Sequence, residues 1–238
     1  MRGLLAGMSQ ELPDTRSIVK VPTMTPGDLY TYLRQVNATT GCDPFDGHVL
    51  ACIVAAGISE CRAGVTLTHA LGLSGSELRR IIARYFPGAQ ERMEAFGLDS
   101  EPMVDDDERC LRELLWRFRT VPDSYTSLLS VLIARRATRP NHLWQDLGLT
   151  NRGELSRLML RHFALLARRN TQDMKWKKFF FRMICRDEGY RLCAAPSCSE
   201  CSDFNACFGD ESGESLLARV RFQSEASGLI AIQAAYTQ

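Results

Sequence analysis

Four cysteines, Cys193, Cys198, Cys201 and Cys207, fall within fifteen residues near the C-terminus, spaced C-x4-C-x2-C-x5-C. Thiolates that close in sequence can converge on one inorganic centre, each acting as a soft, anionic ligand. Pro196 restricts the turn between the first two, and Ser199, Glu200, Ser202, Asp203 and Asn205 are small or polar. The stretch is poor in core-forming residues, so a bound centre is what would order it. The C-x4-C-x2-C opening is that of plant-type iron–sulfur proteins, although their last cysteine lies far away. Structural zinc sites more often use two close pairs separated by a longer loop. Spacing alone therefore puts iron–sulfur chemistry ahead of zinc. The plainer readings are a disulfide pair or unliganded thiols, and disulfides need an oxidising compartment.

The rest of the chain points to a reducing one. The opening MRGLLAGMSQELPD has an apolar patch too short for a signal peptide, and no apolar run approaches membrane-spanning length. The expected location is the cytoplasm, with no membrane partner. The net charge of +1 in 238 residues argues against a dedicated nucleic-acid binder. A hydrophobic content of 45% is enough for a sizeable core without staples. Five more cysteines lie outside the cluster: Cys42, Cys52, Cys61, Cys110 and Cys185. A small buried thiol packs like any apolar side chain, a role that suits Cys52 and is favoured for Cys185, while Cys61 and Cys110 read as helix residues. Cys185, just upstream of Cys193, is the one that could approach the same centre.

Few segments alternate with a period of two, so the expected fold is all-α, a helical bundle followed by a Cys-rich cluster-binding loop. Residues 1–44 read as a weakly structured N-terminal segment with one short helix at Leu29–Gln35. The helical domain is expected over 45–211, with the cluster motif at 193–207 and a tail at 212–238. Val49, Ile53, Ala56 and Ile58 suit a buried helix. Leu67–Leu71 reads as a short helix ended at Gly72. Ser76 reads as the N-cap of a helix carrying Leu78, Ile81, Ile82, Tyr85 and Phe86. An acidic linker follows around Asp99–Glu108, then helical periods at Leu111–Phe118 and Tyr125–Ala137, broken at Pro140.

Part of this pattern repeats. LTHALGLSGSELRRIIARYF at Leu67–Phe86 is echoed by LWQDLGLTNRGELSRLMLRHF at Leu143–Phe163. Each copy follows an apolar helix, which suggests duplication of a three-helix unit; chance likeness of two helix-turn-helix segments is the alternative. A short helix, a Gly turn and a helix carrying Arg79, Arg80 and Arg84 also describes a DNA-binding helix-turn-helix. With an iron–sulfur centre, that would make a metal-responsive regulator. Ile81, Ile82 and Tyr85-Phe86 read as core instead, and the chain has no basic arm.

A last helix is expected over Gln172–Arg186, capped by Thr171 and leading into the cysteines. Trp176, Phe179, Phe180 and Met183 form an apolar stripe, and Lys175, Lys177, Lys178 and Arg182 a solvated basic face. Such a face could offset a thiolate-bound cluster, attract an oxyanion or meet an acidic partner. His142 and His162 flank the second echo and are the nearest nitrogen donors for a heterometal. No nucleophile–base pair, phosphate loop or dinucleotide fingerprint is present, so the chain does not read as an enzyme.

The run MKWKKFFFRMICRDEGYRLCAAPSCSECSDFNACFG, Met174–Gly209, resembles the NifQ family of nitrogen-fixation proteins. HLWQDLGLTNRGELSRLMLRHFALLARRNTQD, His142–Asp173, does so too, and the likeness extends more loosely back to Phe45. The resemblance implies a molybdenum–iron–sulfur cluster on Cys193, Cys198, Cys201 and Cys207, with molybdate as metal source. It implies a carrier that supplies molybdenum for the iron–molybdenum cofactor of nitrogenase. The partners it implies are the cofactor-assembly scaffold and dinitrogenase reductase, with no nucleic acid.

Overall fold

In the computed structural model, residues 24–61, 63–187 and 211 are described. They contain eleven α-helices and no strand. The cysteine motif and the tail, whose placement the sequence reading anticipates, lie outside these residues.

The helices fall into two like units. In the first, α1 (Pro26–Asn37) packs on α2 (Pro44–Cys61), followed by α3 (Leu67–Leu71), α4 (Gly75–Tyr85) and α5 (Gln90–Glu94). In the second, α6 (Asp106–Arg117) packs on α7 (Ser124–Ala137), followed by α8 (Leu143–Asp146), α9 (Arg152–His162) and α10 (Ala164–Ala167). A final helix, α11 (Trp176–Asp187), packs on α6. The echo seen in the sequence is thus the centre of a longer repeat of five helices.

The matching positions share their local chemistry. Gly72 ends α3 with φ of 70°, and Gly148 follows α8 with φ of 73°. A left-handed turn there suits glycine alone among the residues that would otherwise fit. Leu73 and Leu149 then bond back to Thr68 and Trp144, closing equivalent helix ends. Asp43 and Asp123 both accept backbone N–H groups at the starts of the long helices α2 and α7. Phe86 and Phe163 close α4 and α9 in nearly the same backbone conformation, and both are fully buried.

Four helix starts differ from the sequence expectations, each because of a local cap or turn. α1 starts earlier, because Thr25 and Asp28 form a capping box. Ser74, not Ser76, caps α4: Glu77 stands three residues on and bonds back to the Ser74 N–H at 2.8 Å. Thr171 does not cap the last helix. Asn170 instead bonds both the N–H and the C=O of Met174, and Asp173 takes φ of 51°, so a turn occupies residues 170–174 and α11 begins at Trp176. The acidic linker is also shorter than it reads, since Asp105 caps α6 and Asp106–Glu108 form its first turn, where carboxylates oppose the helix dipole.

One core runs through both units, with Leu33, Ile53, Leu71, Phe86, Leu115, Ile133, Phe163 and Phe180 all at 0% exposure. α2 is buried nearly all round, which explains why its sequence shows no polar face. It is the longest of the described helices at 18 residues, and no described helix is long and apolar enough to cross a membrane.

Candidate metal centre

α11 is the element that carries the chain toward Cys193. It is seated by its apolar stripe: Trp176, Phe179, Phe180 and Met183 are all buried, with Met174 beneath the preceding turn. Trp176 meets Phe179 edge-on with ring centroids 5.9 Å apart, a geometry that aromatic quadrupoles favour. That part of the sequence reading holds.

The basic face does not hold as a single solvated surface. Lys178 and Arg182 are exposed, but Lys175 is half-buried and Lys177 turns inward. The Lys177 ammonium donates to the Arg139 carbonyl and to Asp146 Oδ2, the latter at 2.5 Å. Asp146 is almost fully buried on α8, and Asn141 donates to its other oxygen at 2.9 Å. Alongside, Arg136 is 1% exposed and donates to Glu60 and, at 2.6 Å, to the Asp146 carbonyl. Arg139 pairs with Glu60 at 2.9 Å. A continuous ion network thus joins α2, α7, α8 and α11. Burial lowers the Lys177 and Arg136 pKa values, and the carboxylates beside them work against that fall.

Sequence reasoning missed this network, yet one signal was present. Where the first echo has Ala70, the second has Asp146, a carboxylate at a buried repeat position. A charge in such a place must be paired.

Glu211, four residues after Cys207, packs against the second unit. Its side chain is 7% exposed and lies 3.0 Å from Arg152 on α9 and 3.6 Å from His142 at the start of α8. His142 is therefore beside this carboxylate. His162 is a packed residue, buried and 2.9 Å from Asp46.

Cys193, Cys198, Cys201 and Cys207 lie outside the described residues. None of the five described cysteines, Cys42, Cys52, Cys61, Cys110 and Cys185, is in a disulfide. Cys52 and Cys61 are buried, which pushes the first thiol far up and the second up to about 12. Cys42 is raised too, again mainly by burial. A metal ligand must be a thiolate, and burial of this kind disfavours one. Cys110 and Cys185 are half-buried on α6 and α11. Among the described residues no group of three or more His, Cys, Asp or Glu could hold a metal ion.

Two of the three arginines that suggested a recognition helix, Arg79 and Arg84, are otherwise engaged. On α4, Leu78 and Ile82 are core. Arg79 makes a two-pronged contact with Glu94 at 2.7 and 2.9 Å and reaches Asp99 at 2.8 Å. Arg84 lies over the Tyr85 ring.

Comparison with known proteins agrees with the likeness read from the sequence. The chain is 47% identical over 176 residues to a NifQ homolog of Sinorhizobium fredii, covering 72% of this chain and 75% of that protein. It is 39% identical to Protein NifQ of Rhodobacter capsulatus, covering 72% of this chain and 95% of that one. A match to Protein NifQ of Azotobacter vinelandii is 38% identical and covers 46% and 56% of the two chains. No solved structure matches. The NifQ family pattern matches residues 49–209, a span that takes in most of both helical units, α11 and all four clustered cysteines; the chain belongs to the NifQ family of nitrogen-fixation proteins.

Proposed function

We propose that this protein carries a molybdenum–iron–sulfur cluster on Cys193, Cys198, Cys201 and Cys207 and supplies its molybdenum to the building of the nitrogenase iron–molybdenum cofactor. The observation that carries this reading is the four-cysteine signature, which falls wholly inside the family match at 49–209. The donor set fits the cargo: four thiols in a polar stretch, whereas the chain's other five cysteines are buried or half-buried, four of them on helices. Three thiolates suffice for an iron–sulfide cuboid with one open corner, where molybdenum finds sulfide and oxygen or nitrogen donors. Few protein ligands on the heterometal make it transferable. The role is that of a carrier rather than an enzyme, with the cofactor-assembly scaffold and dinitrogenase reductase as partners and the cytoplasm as location.

Anaerobic purification from cells supplied with molybdate tests the reading. The expected product is a coloured protein containing iron, acid-labile sulfide and molybdenum. A colourless protein with stoichiometric zinc overturns it.

A further inference from the structure

Arg152 occupies the first position of α9, where the helix dipole disfavours a cation. The repeat does not require it, because the first position of α4 in the other unit is Gly75. The guanidinium reaches out of its own unit in two directions. Nη2 donates to the Asp173 carbonyl and side chain, both at 2.8 Å, and to the Met174 carbonyl at 3.3 Å. Those residues form the turn that aims α11. Nη1 lies 3.0 Å from Glu211 Oε2, an atom that is buried and has no aligned hydrogen-bond donor, so the contact is one of charge with charge. His142 Nδ1 is 3.6 Å from the other oxygen. A carboxylate 7% exposed is tolerated there because a cation faces it.

We propose that Arg152 and Glu211 form a clamp that fixes the two ends of the cysteine-bearing segment, which makes Arg152 a positioning residue for the cluster ligands. One guanidinium holds the turn before α11, the helix that ends at Asp187, and Glu211, four residues after the motif. Fixing both ends in advance lowers the ordering cost left for cluster binding. The inference rests on the cysteines being the cluster ligands.

The test compares Arg152→Met, Arg152→Lys, Glu211→Gln and wild type. Iron loss to a chelator is followed anaerobically. Limited proteolysis within residues 188–210 is followed by mass spectrometry on cluster-free protein. Arg152→Met and Glu211→Gln should each release iron roughly tenfold faster than wild type, as loss of one partner of a buried pair implies. Arg152→Lys should recover part of the difference, and Arg152→Met/Glu211→Gln should add little to either single change. Both single variants should also be cut faster in the segment. Wild-type rates of iron loss or of cleavage in Arg152→Met overturn the clamp. So does an effect of Arg152→Met that Glu211→Gln fails to reproduce. Wild type that takes up no iron sinks the cluster reading instead, and the cleavage rates then judge the clamp alone.

Discussion

Lys177→Met should destabilise the protein through a carboxylate left behind on α8. Asp146 is 2% exposed, and its Oδ2 is met at 2.5 Å by the Lys177 ammonium. Removing one partner of a buried ion pair costs about 3–5 kcal/mol when the other charge is left uncompensated. Two features reduce that here. Asn141 still donates to Oδ1 at 2.9 Å, and the Lys177 side chain is itself 18% exposed, so part of its charge was solvated before the change. Methionine also keeps the apolar stem packed. The expected loss is about 2–3 kcal/mol. Asp146→Leu alone should cost less, because the Lys177 head can move toward water. Lys177→Met/Asp146→Leu should recover most of the loss, since an apolar pair replaces the ions. Urea unfolding of cluster-free protein at neutral pH, read by circular dichroism, gives all three values and the coupling between the sites. pH adds a second reading. Burial lowers the Lys177 pKa from its ordinary 10.5, so between the lowered value and 10.5 the unfolded chain binds more protons. Wild type should therefore gain stability relative to Lys177→Met as pH rises through that window. A Lys177→Met protein within about 0.5 kcal/mol of wild type, with no difference in slope, would refute the idea that α11 is tied down by this pair.

Cys193→Ala, Cys198→Ala, Cys201→Ala and Cys207→Ala should each lower iron and molybdenum content in anaerobic preparations, while Cys52→Ala and Cys110→Ala keep it; equal losses in both groups would mean a stability effect. Tyr125, buried and donating to the Asp46 carbonyl at 2.9 Å, has its pKa driven up mainly by burial. Above its ordinary value of 10.0 the unfolded chain gives up that proton and the folded one keeps it, so stability should fall with rising pH, and Tyr125→Phe should remove that part of the fall in thermal midpoints.

The fold was legible where local chemistry decides it. Gly72 set the end of α3, and the repeated L-x3-L-G-L skeleton led to two like turns because the same left-handed glycine recurs in each. The stripe on α11 was legible for the same reason, since helical spacing alone places Trp176, Phe179, Phe180 and Met183 on one side. What spacing could not tell was which charges face inward. Lys175, Lys177 and Lys178 look alike in sequence, and only the approach of α8 with Asp146 separates the second from the others. The start of α11 was misread for a related reason: Thr171 is a good cap by type, but Asn170 and Arg152 hold the following turn in another conformation. The four thiols of the candidate site are a reading of the sequence alone, since they lie outside the described residues, and the pairing of Arg152 with Glu211 was not legible because the two are distant in sequence.

The repeat gives these supports a common origin. Both units build the same five-helix body, so positions where they differ are not dictated by that body. Ala70 in the first unit corresponds to Asp146 in the second, and Gly75 to Arg152. Asp146 receives Lys177 of α11, and Arg152 holds the turn before α11 and Glu211, four residues after the last cysteine. Each of these two departures introduces a charge, and each charge is spent on the segment that follows the repeat. In the first unit the corresponding surface has no such segment to hold: Gly75 sits so close to the Leu98 carbonyl that a Cβ there would lie 1.7 Å from it. Any side chain at that position would collide with the backbone, so the clamp could arise only on the second copy. The division of labour between the units is thus set by packing, with the first closing the core and the second holding α11 and the turn before it.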